Sequence, residues 1–319
     1  MILKVEKDYD NARFDRYLKE KIGLTHGLIC KFTRNGFIKK NGKKSDFNAR
    51  ISCNDEIFIS DLVAISEKSE KSKLPTEEMI EIVRKSIIFE NDEIFLIDKP
   101  YGFAVQDGDG IDFSLIEVLK CIDKSAKIVH RLDKNTSGIM IFAKGKQAAD
   151  KFSRFFRERV VKKTYIAVLD GILPQKSGKI ATRIEKIAGN ESLAKNVETG
   201  GDLAVSEYEV LATINKESVV INEENEMASE FVFCNNYDGY KRPLTIAIFR
   251  PITGRIHQIR LHALSLNAPI LGDEKYNKRY EKGQKLQLLS YNICIENVDY
   301  LPAKKPKIPV HMKVFFTMN

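Results

Sequence analysis

Val129-His130-Arg131-Leu132-Asp133-Lys134-Asn135-Thr136-Ser137-Gly138, followed at once by the apolar run Ile139 to Ala143, decides how this chain reads. The order is strand, tight loop, strand. The loop holds Asp133 outside the regular sheet, where chemistry is usually done. A carboxylate two residues from a guanidinium is most often a surface ion pair of little energetic weight. Here the pair sits inside a longer constellation, H-R-L-D-x-x-T-S-G, pinned between two apolar segments.

Composition narrows the possibilities. A chain of 319 residues with 43% hydrophobic and 30% charged residues can bury a sizeable core, and two domains are expected. The net charge of +8 and the pI of about 9.0 favour a polyanionic partner. There is no run of eighteen apolar residues, and the first ten residues lack the apolar core of a signal peptide. Neither a membrane partner nor secretion is expected. Cys30, Cys53, Cys121, Cys234 and Cys294 are scattered without a C-x-x-C pair, which excludes a disulfide framework or structural zinc and fits a reducing cytoplasm. His257 and His262 are five apart, not the four-residue spacing of a helical metal pair, so no metal is expected. Gly108-Asp109-Gly110 lacks the third glycine of a dinucleotide site and no Walker A sequence occurs, so no nucleotide cofactor is expected.

The front of the chain forms one unit, residues 1–61. Phe14, Tyr17 and Leu18 share a helix face. Thr25 can cap a second helix through Leu28, Ile29 and Phe32. Asn-Gly pairs at Asn35 and Asn41 flank a short strand, and Asn54 to Ile59 closes the unit with another. Residues 31–50 hold seven basic residues and one acidic, Asp46. A solvated lysine-rich face is the plain reading and a phosphate-binding surface the sharper one. The order R-x-D-x-x-L, two helices, G-x-[IV]-x-x-N-G-K and N-D-E-I, over residues 13–60, resembles the S4 RNA-binding domain. That resemblance implies RNA contacts from Arg13, Lys39, Lys40, Lys43 and Lys44. Residues 62–80, polar and without apolar period, read as an exposed linker.

The second domain is read over 81–319. Ile87–Glu90 and Glu93–Asp98 are paired strands, Ser114–Leu119 and Gln147–Arg157 helices, and Lys162–Gly171 a strand carrying Tyr165. Further strands are expected at Thr182–Ala188, Ala204–Thr213, Phe231–Phe233, Leu244–Phe249 and Leu288–Ile293. Glu217–Glu230 is acidic and reads as an irregular surface insertion, of unassigned role. Pro251–His262 begins as a turn and becomes a helix.

Several motifs in this order resemble the pseudouridine synthase family that modifies uridines in RNA. They are K-P-x-G at Lys99, H-R-L-D-x-x-T-S-G at His130, K-x-Y-x-A-x-x-x-G at Lys163, T-G-R-x-H-Q-I-R-x-H at Thr253 and G-D-x-x-Y at Gly272. The segment Ala104–Gly110 is similar to the branch acting on large-subunit ribosomal RNA. One departure stands in the last strand, where Leu289 occupies a position usually held by His.

The resemblance implies an α+β protein: a small N-terminal S4 (α-L) domain plus a catalytic domain on a mixed, largely antiparallel sheet. It implies isomerisation of uridine to pseudouridine without cofactor. Asp133 would be nucleophile or base, Arg260 its cation, and Tyr165 would pack on the flipped base and help move the C5 proton. Leu288 would floor the pocket, and Arg131 would fill the stack that the extruded base leaves. A carboxylate withdrawn from water tends to stay protonated, which is why a cation beside it is expected. The partner would be RNA, most simply 23S ribosomal RNA with transfer RNA as the alternative, and the protein a monomer. A non-catalytic ribosome-assembly factor would have lost the Asp. A glycosidase would want a second carboxylate in the matched motifs, and none is there.

Overall fold

The computed structural model describes residues 1–24, 26–63, 75–107, 111–187, 190–234, 240, 242–295, 298 and 304–319. Two compact units emerge: residues 1–77 with 106–117, and residues 78–105 with 118–319.

In the first unit, strands β1 (Ile2–Lys4), β2 (Ile38–Lys40) and β3 (Glu56–Ile59) form an antiparallel sheet in the order β1-β3-β2, beside helices α1 (Phe14–Ile22) and α2 (His26–Asn35). The helical spacing of Phe14, Tyr17 and Leu18 buries all three against Ile29, Phe32, Ile38, Ile57 and Ile59. Helix α1 stops at Gly23, whose φ of +68° caps it. The expected Thr25 cap, residues 64–74 of the linker, the whole of the Gly108–Gly110 loop and Ala188 fall outside the described residues. The stretch read as linker is shorter than expected at its far end. Helix α3 (Glu77–Ser86) begins inside it and buries Val83 and Ser86, because its apolar residues recur at helical spacing among the charges.

The second unit is built on an eleven-stranded sheet. Its strands are β4 (Ile87–Glu90), β5 (Ile94–Lys99), β6 (Ala126–Ile128), β7 (Ser137–Lys144), β8 (Val161–Asp170), β9 (Ser177–Ile187), β10 (Asn190–Val197), β11 (Asp202–Ile214), β12 (Val219–Ile221), β14 (Leu244–Pro251) and β15 (Leu288–Ile295). A separate pair is made by β13 (Phe231–Phe233) and β16 (Phe316–Met318). The main order is β10-β9-β11-β14-β8-β15-β7-β5-β4, with β12 on β11 and β6 on β7. All pairings are antiparallel except β15 on β7, so the sheet is mixed and largely antiparallel. Helices α4 (Leu115–Ile122), α5 (Gly145–Glu158) and α6 (Gln258–Ser265) complete the element list.

The central strands β7, β8 and β14 are buried almost end to end, which matches their continuous apolar runs. Phe152 of α5 packs with Ile94, Ile139, Ile141, Val161 and Ile293. A second cluster gathers Ile166, Val168, Ile246, Ile248, Leu289 and Tyr291 under the C-terminal residues Ile308, Met312, Phe315 and Phe316. Leu289, the departure from the family pattern, is thus a fully buried core residue. The acidic stretch 217–230 is not irregular. It contains β12 and a 3-10 turn at Glu226–Glu230, and Ala228 is buried in that second cluster. Its apolar residues Val219, Met227 and Ala228 anchor it where its net charge alone suggested a loose loop.

Strand β15 inserts between β8 and β7, opposite Ser137 and Gly138. Gly138 has φ of +103°, and a Cβ there would collide with the Ser290 carbonyl oxygen and meet the Leu289 side chain at 2.8 Å. The Ser290 hydroxyl donates to the Ile139 carbonyl at 2.9 Å across the same seam. Gly138→Ala should therefore lower stability by about 2–4 kcal/mol, combining a strained backbone with an overpacked contact. A urea midpoint for the catalytic unit within experimental error of wild type would contradict this.

Candidate active site

The loop that carries Asp133 is shaped by its neighbours in sequence. Pairing of β6 with β7 ends at Ile128 opposite Phe142. Two residues later the His130 Nε2 accepts the backbone N–H of Ile141 at 3.0 Å, and its ring stacks on Phe156 at 4.3 Å. The side chain thereby takes over from the backbone ladder, and the chain leaves the sheet. Burial holds the His130 ring down at about 3, in keeping with a nitrogen that must stay unprotonated to accept. Leu132 is then buried, Arg131 exposed and Asp133 partly exposed. The loop closes with Thr136 N–H donating to the Asp133 carbonyl at 3.0 Å.

Lys99 of the K-P-x-G turn fastens this loop from below. Its buried ammonium donates to the carbonyls of Pro100 at 3.0 Å, Phe103 at 2.7 Å and Lys134 at 3.0 Å. Gly102 N–H also donates to Lys134 O at 3.1 Å. Burial pushes Lys99 down to about 7, while Asp133 and the three acceptors favour its charged form.

Arg260 comes from α6. Its Nη1 donates to Asp133 Oδ2 at 3.2 Å. The expected pair is present, but it is not the main one. Asp273, fully buried, takes Arg260 bidentately, with Nε to Oδ2 at 2.8 Å and Nη2 to Oδ1 at 2.6 Å. Two carboxylates thus face one guanidinium and hold it strongly in its charged form against burial. Asp273 is itself fixed by the N–H groups of Lys275 at 3.0 Å and Tyr276 at 3.2 Å. The preceding Gly272, at φ of +73°, lets the backbone press against the Lys285 carbonyl, where a Cβ would overlap it.

The rest of the T-G-R-x-H-Q-I-R segment is scaffolding that resolves into contacts. Thr253 Oγ1 donates to Gln258 Oε1 at 2.6 Å, and Gln258 Nε2 donates to Val205 O and to Ser206 Oγ, both at 2.9 Å. These bonds tie the start of α6 to β11. His257 sits at that start with φ of +52°, a backbone conformation uncommon outside glycine. Its Nε2 lies 3.7 Å from Asp133 Oδ2, and its Nδ1 lies 2.6 Å from the Tyr276 hydroxyl. Burial holds His257 at about 4 even though Asp133 pulls the other way.

Tyr165 is buried on β8, opposite Phe249 of β14 and Ser290 of β15. Burial first, then the charge of Asp133, raises its phenol, which stays protonated. Leu288 is buried on β15 opposite Ala167, two residues from Tyr165. Asp133, Arg260 and Tyr165 are therefore electrostatically coupled, with Leu288 on the adjacent strand, while Arg131 points to solvent with no ion pair among the described residues.

The basic residues of the first unit differ among themselves. Arg13 is held by Asp15 at 2.7 Å, and Lys40 by Asp55 at 3.5 Å and the Arg50 carbonyl at 3.0 Å. Lys39, Lys43 and Lys44 make no ion pair among the described residues. Sequence reasoning assigned no role to Lys99, His257, Asp273 or Tyr276, although all four stand inside the motifs it had marked. The expectation that the matched motifs hold no second acid fails at Asp273, which stands in G-D-x-x-Y and takes Arg260 bidentately.

Residues 93–265 match the family model described as RNA pseudouridylate synthase, over half of the chain. The chain belongs to the RNA pseudouridylate synthase family. Its likeness to curated relatives runs nearly end to end. The ribosomal large subunit pseudouridine synthase C of Rickettsia conorii is 32% identical over 96% of both chains. That of Escherichia coli K12 is 26% identical over 87% of this chain and 80% of its own. Among solved structures, human RNA pseudouridylate synthase domain containing 1 superposes with a TM-score of 0.57 at 21% identity, over 77% of this chain and 92% of its own. This RNA pseudouridine synthase is thus an isomerase with the α+β fold of its family. No helix among the described residues is long and apolar enough to cross a membrane.

Buried histidines give this pseudouridine synthase a pH dependence of stability with a definite sign. His130, His257 and His262 are all lowered below the usual 6.5, chiefly by burial. His262 is fully buried with neither ring nitrogen hydrogen-bonded among the described residues. Unfolded chains take up these protons near pH 6.5 and the fold does not until about 4 or below, so stability falls as pH drops through that window. His262→Gln should remove one such proton and flatten the dependence between pH 6 and 5 by about 1 kcal/mol per pH unit. Denaturant titrations at the two pH values with an unaltered slope would contradict it.

Proposed function

We propose that this enzyme isomerises a specific uridine in large-subunit ribosomal RNA, with Asp133 as the group that attacks or deprotonates the ribose. The observation that carries the reading is the position of Asp133, on an exposed-side loop yet 3.2 Å from a buried arginine that is already held by a second carboxylate. Such a carboxylate is oriented without being covered, as a nucleophile or base must be. The named relatives support the choice of RNA, since those that match over nearly the full chain carry the large-subunit name.

The reaction needs no net atom, electron or hydrolytic water. The bond from C1′ to N1 breaks, the base turns, C5 bonds to C1′, and a proton leaves C5 while one arrives at N1. Neither cofactor nor metal is required by that balance. Tyr165 and Leu288 would line the apolar pocket for the base. Tyr165, protonated, can stack on it and assist proton movement from C5. Arg131, exposed and unpaired among the described residues, is free to occupy the gap left by the extruded base, which offsets part of an unstacking cost of a few kcal/mol. The first unit would act as an S4-like RNA-binding module, with Lys39, Lys43 and Lys44 on phosphates and Arg13 and Lys40 contributing less because of their carboxylate partners. A cytoplasmic location fits the scattered cysteines of the sequence, and a monomer is the simplest state.

Asp133→Asn should abolish tritium release from C5-labelled uridine in 23S RNA while leaving the fold and RNA affinity close to wild type. Turnover above roughly one per cent of wild type would remove the assignment, and the one-per-cent line is set by the losses typical of a deleted nucleophile. Mapping pseudouridines in ribosomal and transfer RNA with and without the gene identifies the target molecule.

The phosphate reading has its own measurement. Lys39→Ala, Lys43→Ala and Lys44→Ala together should flatten the slope of log affinity against log salt by about two to three units, at roughly 0.7–0.9 per contact. The single-turnover rate at saturating RNA should stay within about twofold. An unchanged salt slope means these lysines form only a solvated face.

A further inference from the structure

His257 holds a hydrogen-bond donor beside the Asp133 carboxylate, and that donor has no hydrogen-bond partner among the described residues. The tautomer follows from its neighbours. The Tyr276 hydroxyl accepts the Ala194 N–H at 3.1 Å, and donating its own proton to His257 Nδ1 at 2.6 Å is the arrangement that gives that proton a partner. With Nδ1 an acceptor, the ring hydrogen lies on Nε2. That Nε2–H faces Asp133 Oδ2 at 3.7 Å, beyond hydrogen-bond reach, and it has no other partner among the described residues. The ring is nearly buried, with 8% of the side chain exposed, and burial keeps it neutral at physiological pH. Its backbone is held at φ of +52°, a conformation that persists only where the surroundings impose it.

We propose that the Nε2–H of His257 donates a hydrogen bond to the C2 carbonyl oxygen of the target uracil as the bond between base and ribose breaks, and so stabilises the departing base. The inference rests on the reading of Asp133 as the group that reaches the ribose. When the C1′–N1 bond breaks, its electron pair leaves with the ring and spreads over N1 and the two carbonyl oxygens. The C2 oxygen is three bonds from C1′, through N1 and C2, and so lies on the side of the ring nearest a carboxylate contacting C1′ or C2′. The C4 oxygen lies at the far end of the ring. A neutral imidazole donates without losing its proton, so no proton is transferred in this step and the charge stays on the base until C5 bonds to C1′. A preorganised donor aimed where charge develops stabilises the transition state more than the ground state.

The test compares single-turnover rates on full-length enzyme with uridine or 2-thiouridine at the target position, since sulfur is a poor acceptor. His257→Ala should slow the uridine reaction by about 100-fold or more, with affinity for the RNA changed less than about threefold. His257→Gln, which keeps an N–H donor and guards against a misfolded Ala variant, should recover at least tenfold of that loss. On 2-thiouridine the wild type should fall toward the variant, and His257→Ala should then lose less than about fivefold. An equal loss on oxygen and sulfur substrates would mean that His257 only positions its surroundings, and a loss confined to affinity would remove the transition-state role. A loss that persists with sulfur and vanishes with 2′-fluororibose would move the donor to the ribose hydroxyl and overturn the proposal. Asp133→Asn, run alongside, should be inactive on both substrates. If it is active, the reading of Asp133 fails while the oxygen-to-sulfur comparison still decides the case of His257.

Discussion

Arg260 is divided between two carboxylates that reach it from distant parts of the chain, and the catalytic face is organised around that division. Asp273 takes two of its donors and Asp133 a third. A buried charge left without partners costs several kcal/mol, so loss of Arg260 would strand the fully buried Asp273, whereas loss of Asp133 leaves the guanidinium still held by Asp273. The bidentate half fixes the plane of the guanidinium, and the planar group then presents Nη1 in one direction only. Asp133 is oriented by a cation that cannot swing toward it or away from it. A lysine could supply the charge but not the direction.

Around this pair the electrostatics are uneven by construction. Two carboxylates meet one guanidinium, and further positive charge nearby comes from Lys275, which feels Asp133, Asp273 and Arg260, and from Lys99, whose ammonium lies under the loop and is engaged by three carbonyls. His257 contributes a dipole rather than a charge, and Tyr165 stays a phenol. Asp133 is therefore partly open to solvent while Arg260, Asp273 and Lys99 are engaged and His257 and Tyr165 are neutral. That arrangement suits a reaction that moves protons and a base without adding or removing any atom.

Much of this was legible in the sequence, for identifiable reasons. The helix of Phe14, Tyr17 and Leu18 and the strands carrying Tyr165 and Ile139 follow from apolar period, and the structure keeps them. Asp133 and Arg260 come together as the motifs implied. What could not be read is pairing between motifs. Nothing in the spacing of Arg260 and Asp273 says that this carboxylate, rather than Asp133, takes the bidentate geometry. The stretch 217–230 was misread because its many acids masked three apolar residues that reach the core, and α3 because a polar flank hid its period. Strand β10 was missed since Asn190–Val197 is largely polar and shows only a weak apolar alternation.

The seam between β7 and β15 has a consequence for the order in which the protein is made. The loop with Asp133 is followed directly by β7, yet the strand that lies between β7 and β8 is almost the last in the chain. The Ser290-to-Ile139 bond that closes the seam spans 151 residues. A ribosome that has delivered every motif residue through Tyr276 has still not delivered the strand that joins the two halves of the sheet. Until then β7 and β8 present long apolar edges that must wait for one another's partner, and such non-local pairing is slow and prone to association. A chain that stops short of β15 would hold every motif residue through Tyr276 without the strand that sets their geometry.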